Sequence, residues 1–517
     1  MVARRSARHN TPSSARRFDA QCYTFLVTTL AHLSFDNHFA RLGSQFSTAL
    51  PPTPVPEPYV VSVNSDAAAL IDLDPVELHT AEFLRFVSGH RVPPGSDPVA
   101  MLYAGHQFGV YVPQLGDGRA ILIGQVRNQA GQSWDLQLKG AGETPYSRFA
   151  DGRAVLRSSI REYLGSEAMH HLGIPTSRAL AVVGSDLPII RETVETAAVL
   201  LRMAPSHVRF GSFEVFYYRQ QHDRIRTLAD YVIGHFFTEI DAEPGSEESH
   251  FRFFREVVVR TARMIAQWQA VGFAHGVMNT DNMSILGITF DYGPFGFVEA
   301  YDPDFICNHS DDSGRYAFSN QPPIAYWNLC ALAQALTPLL SIERCKEALA
   351  EYEPEYLTTY EQLIHAKMGL IDAREEDAVL INDLFSILRG NEVDYTMFFR
   401  ALSGYDAETD HEDAAITALF KYPEAFTLWS EGYRARIASE AIEQDARHRK
   451  MRAANPRYIL RNWLAQRAIE RAQQKDFAEV DRLLEVLRRP FDDQPGFEEY
   501  AGPAPAGYLV AGVSCSS

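Results

Sequence analysis

The spacing of apolar positions changes period along the chain, and that change orders the fold. Between residues 115 and 140, LGDGRAILIGQV gives a glycine turn and then an apolar strand, while SWDLQLKG alternates with Leu136 and Leu138 on one face. Two strands joined by RNQAGQ are predicted to form a hairpin. Residues 155–172, VLRSSIREYLGSEAMHHL, place Ile160, Tyr163, Leu164, Ala168 and His171 at helical spacing, and the GIP that follows stops the helix. TSRALAVVGSD and AAVLLRMAPS return to a strand pattern. From about residue 226 the period is helical. FRFFREVVVRTARMIAQWQAVGF (251–273) carries Phe254, Val257, Val258, Thr261, Ile265 and Trp268 on one stripe and ends at Gly272. WNLCALAQALTPLL, EDAVLINDLFSILRG and YILRNWLAQRAIERAQQ continue in helix formers, while LPPTPVPEPYVVSVN (50–64) reads as an extended arm. The order is a β-rich part with one key helix, then a helical part.

Composition narrows the classes. The 517 residues suffice for two or three packed units, and 46% hydrophobic with 22% charged residues is ordinary globular composition. A formal net charge of −18 argues against a nucleic-acid binder but not against a mononucleotide, which needs only a local cluster of cations. Five cysteines (Cys22, Cys307, Cys330, Cys345, Cys515) are too few for a disulfide scaffold, and none forms a C-x-x-C pair. No run reaches the roughly 18–20 apolar residues of a membrane span. The first 18 residues hold five arginines and no acid, which fits either a transit-like presequence or a disordered terminus.

The chemistry concentrates in a few stretches. HGVMNTDN (275–282) resembles the catalytic loop of protein kinases, and FDYGPFGF (290–297) resembles their metal-binding D-x-G, except that Val277 stands where kinases have aspartate. Asp281 is the only carboxylate of the first stretch and so its base candidate. Asn282 and Asp291 are oxygen donors suited to Mg²⁺ or Mn²⁺. Upstream, QLGDGRA (114–120) offers Gly116 and Gly118 for close backbone approach to a phosphate and Arg119 for charge. Lys139 ends a strand, and Glu162 in the first helix is placed to hold it. Arg148, Arg153, Arg157, Arg161, Arg202 and Arg209 add a cationic density that points to an anion site.

Taken together, FDNHFARLG, YAGHQFGVYVPQLGDGRA, LQLKGAGETPYSRFADGRAVLRSSIREYLGSEAMHHLGIPTSRAL, HGVMNTDNMSILG, FDYGPFGF, NPRYILRNWLAQ and the terminal SCSS resemble the selenoprotein O (SelO, YdiU) family over roughly residues 33–517. The resemblance implies an α+β, protein-kinase-like bilobal fold and protein adenylyl transfer from ATP bound in a flipped orientation. It implies nucleotide contacts from Gly116, Gly118, Arg119, Lys139, Asp151, Gly152, Arg202, Arg209 and Asp291. Glu162 would position Lys139, Asp281 would accept the proton, and Asn282 with Asp291 would bind Mg²⁺ or Mn²⁺. In cysteine-bearing bacterial relatives the tail cysteine can pair with one after the D-x-G, here Cys515 with Cys307.

The reading that results is a nucleotidyltransferase moving AMP from ATP to Ser, Thr or Tyr hydroxyls of proteins. It would act as a cytoplasmic monomer, or in mitochondria only if residues 1–20 are a true presequence, without nucleic-acid or membrane partners. Its expected parts are an extension (1–30), an arm and N-lobe (31–225), a helical C-lobe (226–500) and a tail (501–517). Mn²⁺-dependent uridylylation, ordinary phosphotransfer and an ATP-binding pseudokinase scaffold are the alternatives.

Overall fold

The computed structural model describes residues 27–406, 413–508 and 512. Its principal sheet is antiparallel, with strands in the order Ser47–Ala49, Val99–Met101, Ala120–Arg127, Ser133–Lys139, Val194–Ala204, Arg178–Ile190 and Tyr59–Val63; Ala154–Val155 also pairs with Val194–Ala204. The predicted hairpin sits in its middle, with Ala120 opposite Lys139. The arm at 50–64 ends as the Tyr59–Val63 edge strand.

The period of two sorts this sheet chemically. Ile121, Ile123, Leu136, Leu138, Leu201 and Met203 enter one core with the N-terminal helices, including Phe83 and Phe86 of Ala81–Val87. Leu122 and Leu200 enter the other, with Ile160, Tyr163 and Leu164 of the helix Leu156–His171. Gln137 lies opposite Arg202 and Lys139 opposite Leu200, so these polar side chains share the face that meets that helix. Each fully buried Leu or Ile contributes about 1.5–3 kcal/mol, enough for a handful to fix which face is which.

Twelve of the sixteen residues of Leu156–His171 are buried. The helix packs against the two longest strands and, on another side, against Asn462–Gln473 and Ala478–Leu487 near the C-terminus. The long helix Glu247–Val271 begins at Ser246, whose side chain accepts the Ser249 N–H, and stops at Gly272 in the left-handed region (φ +77°). Phe254, Val257, Val258, Thr261, Ile265 and Trp268 are all buried, as their spacing requires. A separate helical core gathers Ile364, Leu384, Phe398, Trp429 and Met451.

The helical part starts earlier than the period suggested. Gly211–Tyr218 and His222–Phe236 already form helices. The first spans only eight residues, GSFEVFYY, too few to display a 3.6 period among so many aromatics. No helix among the described residues is long and apolar enough to cross a membrane. Residues 1–26 and Cys515 lie outside the described residues, so the presequence and Cys307–Cys515 readings do too.

Candidate active site

The loop that follows the long helix is pinned at both ends. Phe273–Ala274 pairs antiparallel with Gly296–Phe297, so the NTDN and D-x-G stretches return to the same place. His275 joins them: its ring stacks on Trp268 at 5.3 Å, and its Nε2 lies 3.1 Å from the Phe290 carbonyl. Burial lowers the His275 pKa, which favours the neutral ring with its proton on the nitrogen that donates there. Tyr316 donates to Asn279 Oδ1 (2.5 Å) and Asn328 to the Met278 carbonyl (2.9 Å), fixing the loop from below. Asp291 itself adopts φ +59°, an uncommon conformation for a residue with a side chain.

The sheet supplies the opposing wall. Lys139 Nζ donates to Glu162 Oε2 at 2.5 Å and lies 3.7 Å from Asp291 Oδ1. Arg202 bonds Gln137 (2.7 Å), Glu162 Oε1 (3.0 Å) and Asp291 Oδ1 (2.5 Å). Arg209 reaches Asp291 Oδ2 (2.7 Å) and the Asp281 carbonyl (2.6 Å), its guanidinium set over the rings of Tyr103 and Phe290. Burial by itself would raise the Asp291 pKa; Arg202, Arg209 and Lys139 outweigh it and hold the carboxyl well below the usual range. Burial lowers the Lys139 pKa, with Glu162 opposing. At Asp281 burial prevails: despite a hydrogen bond from Gln107 and the nearby Arg209, its pKa is pushed up to about 7.

These groups line one cavity of about 580 Å³, within the range of small-molecule sites. Gly116, Gly118, Arg119, Lys139, Asp151, Gly152, Glu162, Arg202, Arg209, Asp281, Asn282 and Asp291 all face it. Seven cations line it (Arg119, Lys139, Arg148, Arg153, Arg191, Arg202, Arg209) against five carboxylates (Asp117, Asp151, Glu162, Asp281, Asp291). In a chain of net charge −18 that local surplus favours an anion. Arg209 Nη2 is buried and has no hydrogen-bond partner among the described residues, a donor suited to a phosphate oxygen.

The glycine turn is built for close approach. Gly116 has φ +107°, and a Cβ there would lie 2.5 Å from the Tyr146 ring. Between the glycines, Asp117 turns inward to accept from the Met101 N–H (3.1 Å) and Gln137 (3.0 Å), so it braces the turn. Asn282 donates its amide to the Val277 carbonyl (3.1 Å), leaving its own carbonyl oxygen as the donor atom for a cation. With ionised Asp291 this gives two hard oxygen ligands, a set that fits Mg²⁺ or Mn²⁺ whose other ligands are phosphate and water. Among the described residues no cluster of three or more His, Cys, Asp or Glu forms a metal cage of its own.

The anticipated arginine cluster divides. Arg157 pairs with Glu195 (3.0 Å), and Arg161 is buried against the Phe295 ring and carbonyl, so neither lines the cavity. Arg153 lines it but spends its guanidinium on the Thr53, Pro54 and Gly140 carbonyls. Arg191 went unread in the sequence, yet it holds Asp151 through two bonds (2.8 and 2.9 Å). Gln107 was also unread; its amide donates to Asp281 Oδ2 at 3.1 Å. Neither lies in a stretch whose period or spacing marks it, because each acts on a residue far along the chain.

Comparison with known proteins supplies the family. Residues 29–488 match the family model described as "Protein adenylyltransferase SelO". Proteins named "Protein nucleotidyltransferase YdiU" are similar over 95% of this chain and the whole of their own length: 53% identical over 491 residues in Myxococcus xanthus, 55% over 495 in Thiobacillus denitrificans and 52% over 491 in Pseudomonas aeruginosa. The chain belongs to the SelO family and is a nucleotidyltransferase.

Proposed function

We propose that the chain transfers AMP from ATP to Ser, Thr or Tyr hydroxyls of proteins, with the nucleotide flipped so that its α-phosphate faces Asp281, in a kinase-like bilobal frame. The acceptor oxygen bonds to the α-phosphorus, the bond from that phosphorus to the bridging oxygen of the β-phosphate breaks, and pyrophosphate leaves. Asp281 takes the hydroxyl proton; a carboxylate with a pKa of about 7 is poised to do so. Lys139, oriented by Glu162, and Arg119, Arg202 and Arg209 bind the phosphates and offset the charge that grows on the leaving pyrophosphate. Asn282 and Asp291 would hold Mg²⁺ or Mn²⁺, which when bound supplies Lewis-acid stabilisation of phosphate charge.

The observation that carries this reading is the cationic surplus on the same cavity as Asp281, greater than one phosphate-binding lysine requires. Val277, buried at the wall where a kinase places its base, speaks against ordinary γ-phosphate transfer. The names of the relatives extend to protein substrates and nucleotidyl transfer, and support the choice of acceptor. The test supplies ATP labelled at the α- or the γ-phosphate with Mg²⁺ or Mn²⁺, and Asp291→Ala as blank. Retention of α label alone in protein is expected. Retention of γ label alone would make it a phosphotransferase, and binding without either transfer would make it a scaffold.

A further inference from the structure

A short hairpin, Gly105–Gln107 paired with Val110–Val112, lies directly against the loop that carries Asp281. Three successive hairpin residues meet three successive loop residues. The His106 N–H donates to Thr280 Oγ1 (2.7 Å), the Gln107 side chain to Asp281 Oδ2 (3.1 Å) and the Phe108 N–H to Asn279 Oδ1 (3.2 Å). The fit is close enough to exclude a side chain at Gly105, where a Cβ would come within 2.9 Å of Asp281 Oδ1 and 3.0 Å of its Cβ. The seating is reinforced from behind by buried Glu214, which accepts from Thr280 Oγ1 and bonds His106 Nδ1. Gln107 is half-buried and lines the cavity.

We propose that Gln107 is a positioning residue for Asp281: its amide fixes the rotamer of the carboxylate on the cavity wall. The two oxygens of Asp281 are unlike in a way that fits this. Oδ2 takes the Gln107 bond, while Oδ1 is buried with no partner among the described residues. A carboxylate bonded through one oxygen and packed against Gly105 at the other keeps a single rotamer, and the bonded oxygen retains a lone pair with which to accept a proton. Without the amide, Asp281 can rotate about its side-chain bonds, and the fraction of encounters with a correctly placed base falls. This inference rests on the reading of Asp281 as proton acceptor.

The experiment measures turnover and ATP KM for Gln107→Met, which keeps length and removes the donor, and for Gln107→Ala as a second variant. Both are repeated in an Asp281→Ala background, with residual transfer followed by α-labelled ATP in single turnovers and folding checked by thermal unfolding. The expected result is a fall in kcat of about ten- to a hundredfold, the scale of a hydrogen bond to a charged group, with ATP KM within twofold and no added loss in the Asp281→Ala background. Wild-type kcat in both Gln107 variants, beside a crippled Asp281→Ala, would overturn the role of Gln107 alone. An equal loss with or without Asp281, or a raised ATP KM with a lowered Tm, would make Gln107 merely structural and overturn it as well. Wild-type turnover in Asp281→Ala would instead remove the base assignment, and the positioning role with it.

Discussion

Asp291 is held by more positive charge than one carboxylate needs, through Arg202, Arg209 and, farther off, Lys139. Replacing it by alanine leaves two buried guanidiniums without that partner, so Asp291→Ala is expected to cost about 3–5 kcal/mol in urea unfolding. Inorganic pyrophosphate should then raise its Tm more than that of the unmodified chain, because the anion takes the vacated place. Metal-dependent ATP binding should be lost in the same variant, read by calorimetry. Glu162 holds both Lys139 and Arg202; Glu162→Gln is expected to raise ATP KM or lower kcat by about tenfold or more, the scale of a charge-assisted bond. Lys139, Glu162 and Asp291 were legible in the sequence because each sits at a defined point of a strand, a helix and a D-x-G turn. Arg191 and Gln107 were not, since pairing with Asp151 and Asp281 joins segments 40 and 174 residues apart.

At the scale of elements, the glycine turn and the loop after Lys139 are tied together on the cavity wall. Thr144 donates to the Asp117 carbonyl (2.7 Å), and Gly152 at φ +66° passes so near Gly142 that a Cβ would lie 2.1 Å from its carbonyl carbon. Gly152→Ala is therefore expected to weaken ATP binding at least about tenfold in a fluorescence titration, through backbone displacement at a left-handed position. Among the helices, Glu440 ties three segments together. It accepts from the Ile371 N–H (2.8 Å), the Asp372 N–H (3.1 Å), Arg436 (2.8 Å) and Arg447 (2.8 Å). Burial would raise its pKa, but these bonds overrule it and bring the value to about 2. A folded pKa below the unfolded one stabilises above the unfolded value, about 4.5, and that stabilisation fades as pH falls toward 2. Glu440→Gln should lower stability at pH 7 by about 1.5–3 kcal/mol and flatten the acid side of the urea-midpoint profile. Long elements were legible because their period repeats. The hairpin at 105–112 was not, its strands of three residues being too short to show one.

For the whole molecule, early strands meet late helices. Ser62 on the sheet edge donates to Asp481 (2.6 Å), Arg488 bonds Asn64 (3.2 Å), and Lys475 pairs with Asp186. A chain ending before residue 456 would uncover the side of Leu156–His171 that these helices cover, where Tyr163 lies near Asp481 and Arg161 bonds Asn462. Such a truncation is expected to lose ATP binding and to lower helix content beyond the residues removed, measured by calorimetry and circular dichroism, although it deletes no residue of the cavity. That partnership was not legible in the sequence, because a period shows that a helix has an apolar face but not which distant surface covers it. It has a consequence for timing. A helix gripped between sheet and C-terminal helices cannot swing away without unseating two others, so the contact of Lys139 with Glu162 is set once, as the chain folds. Turnover is then expected to proceed without repeated assembly of that wall.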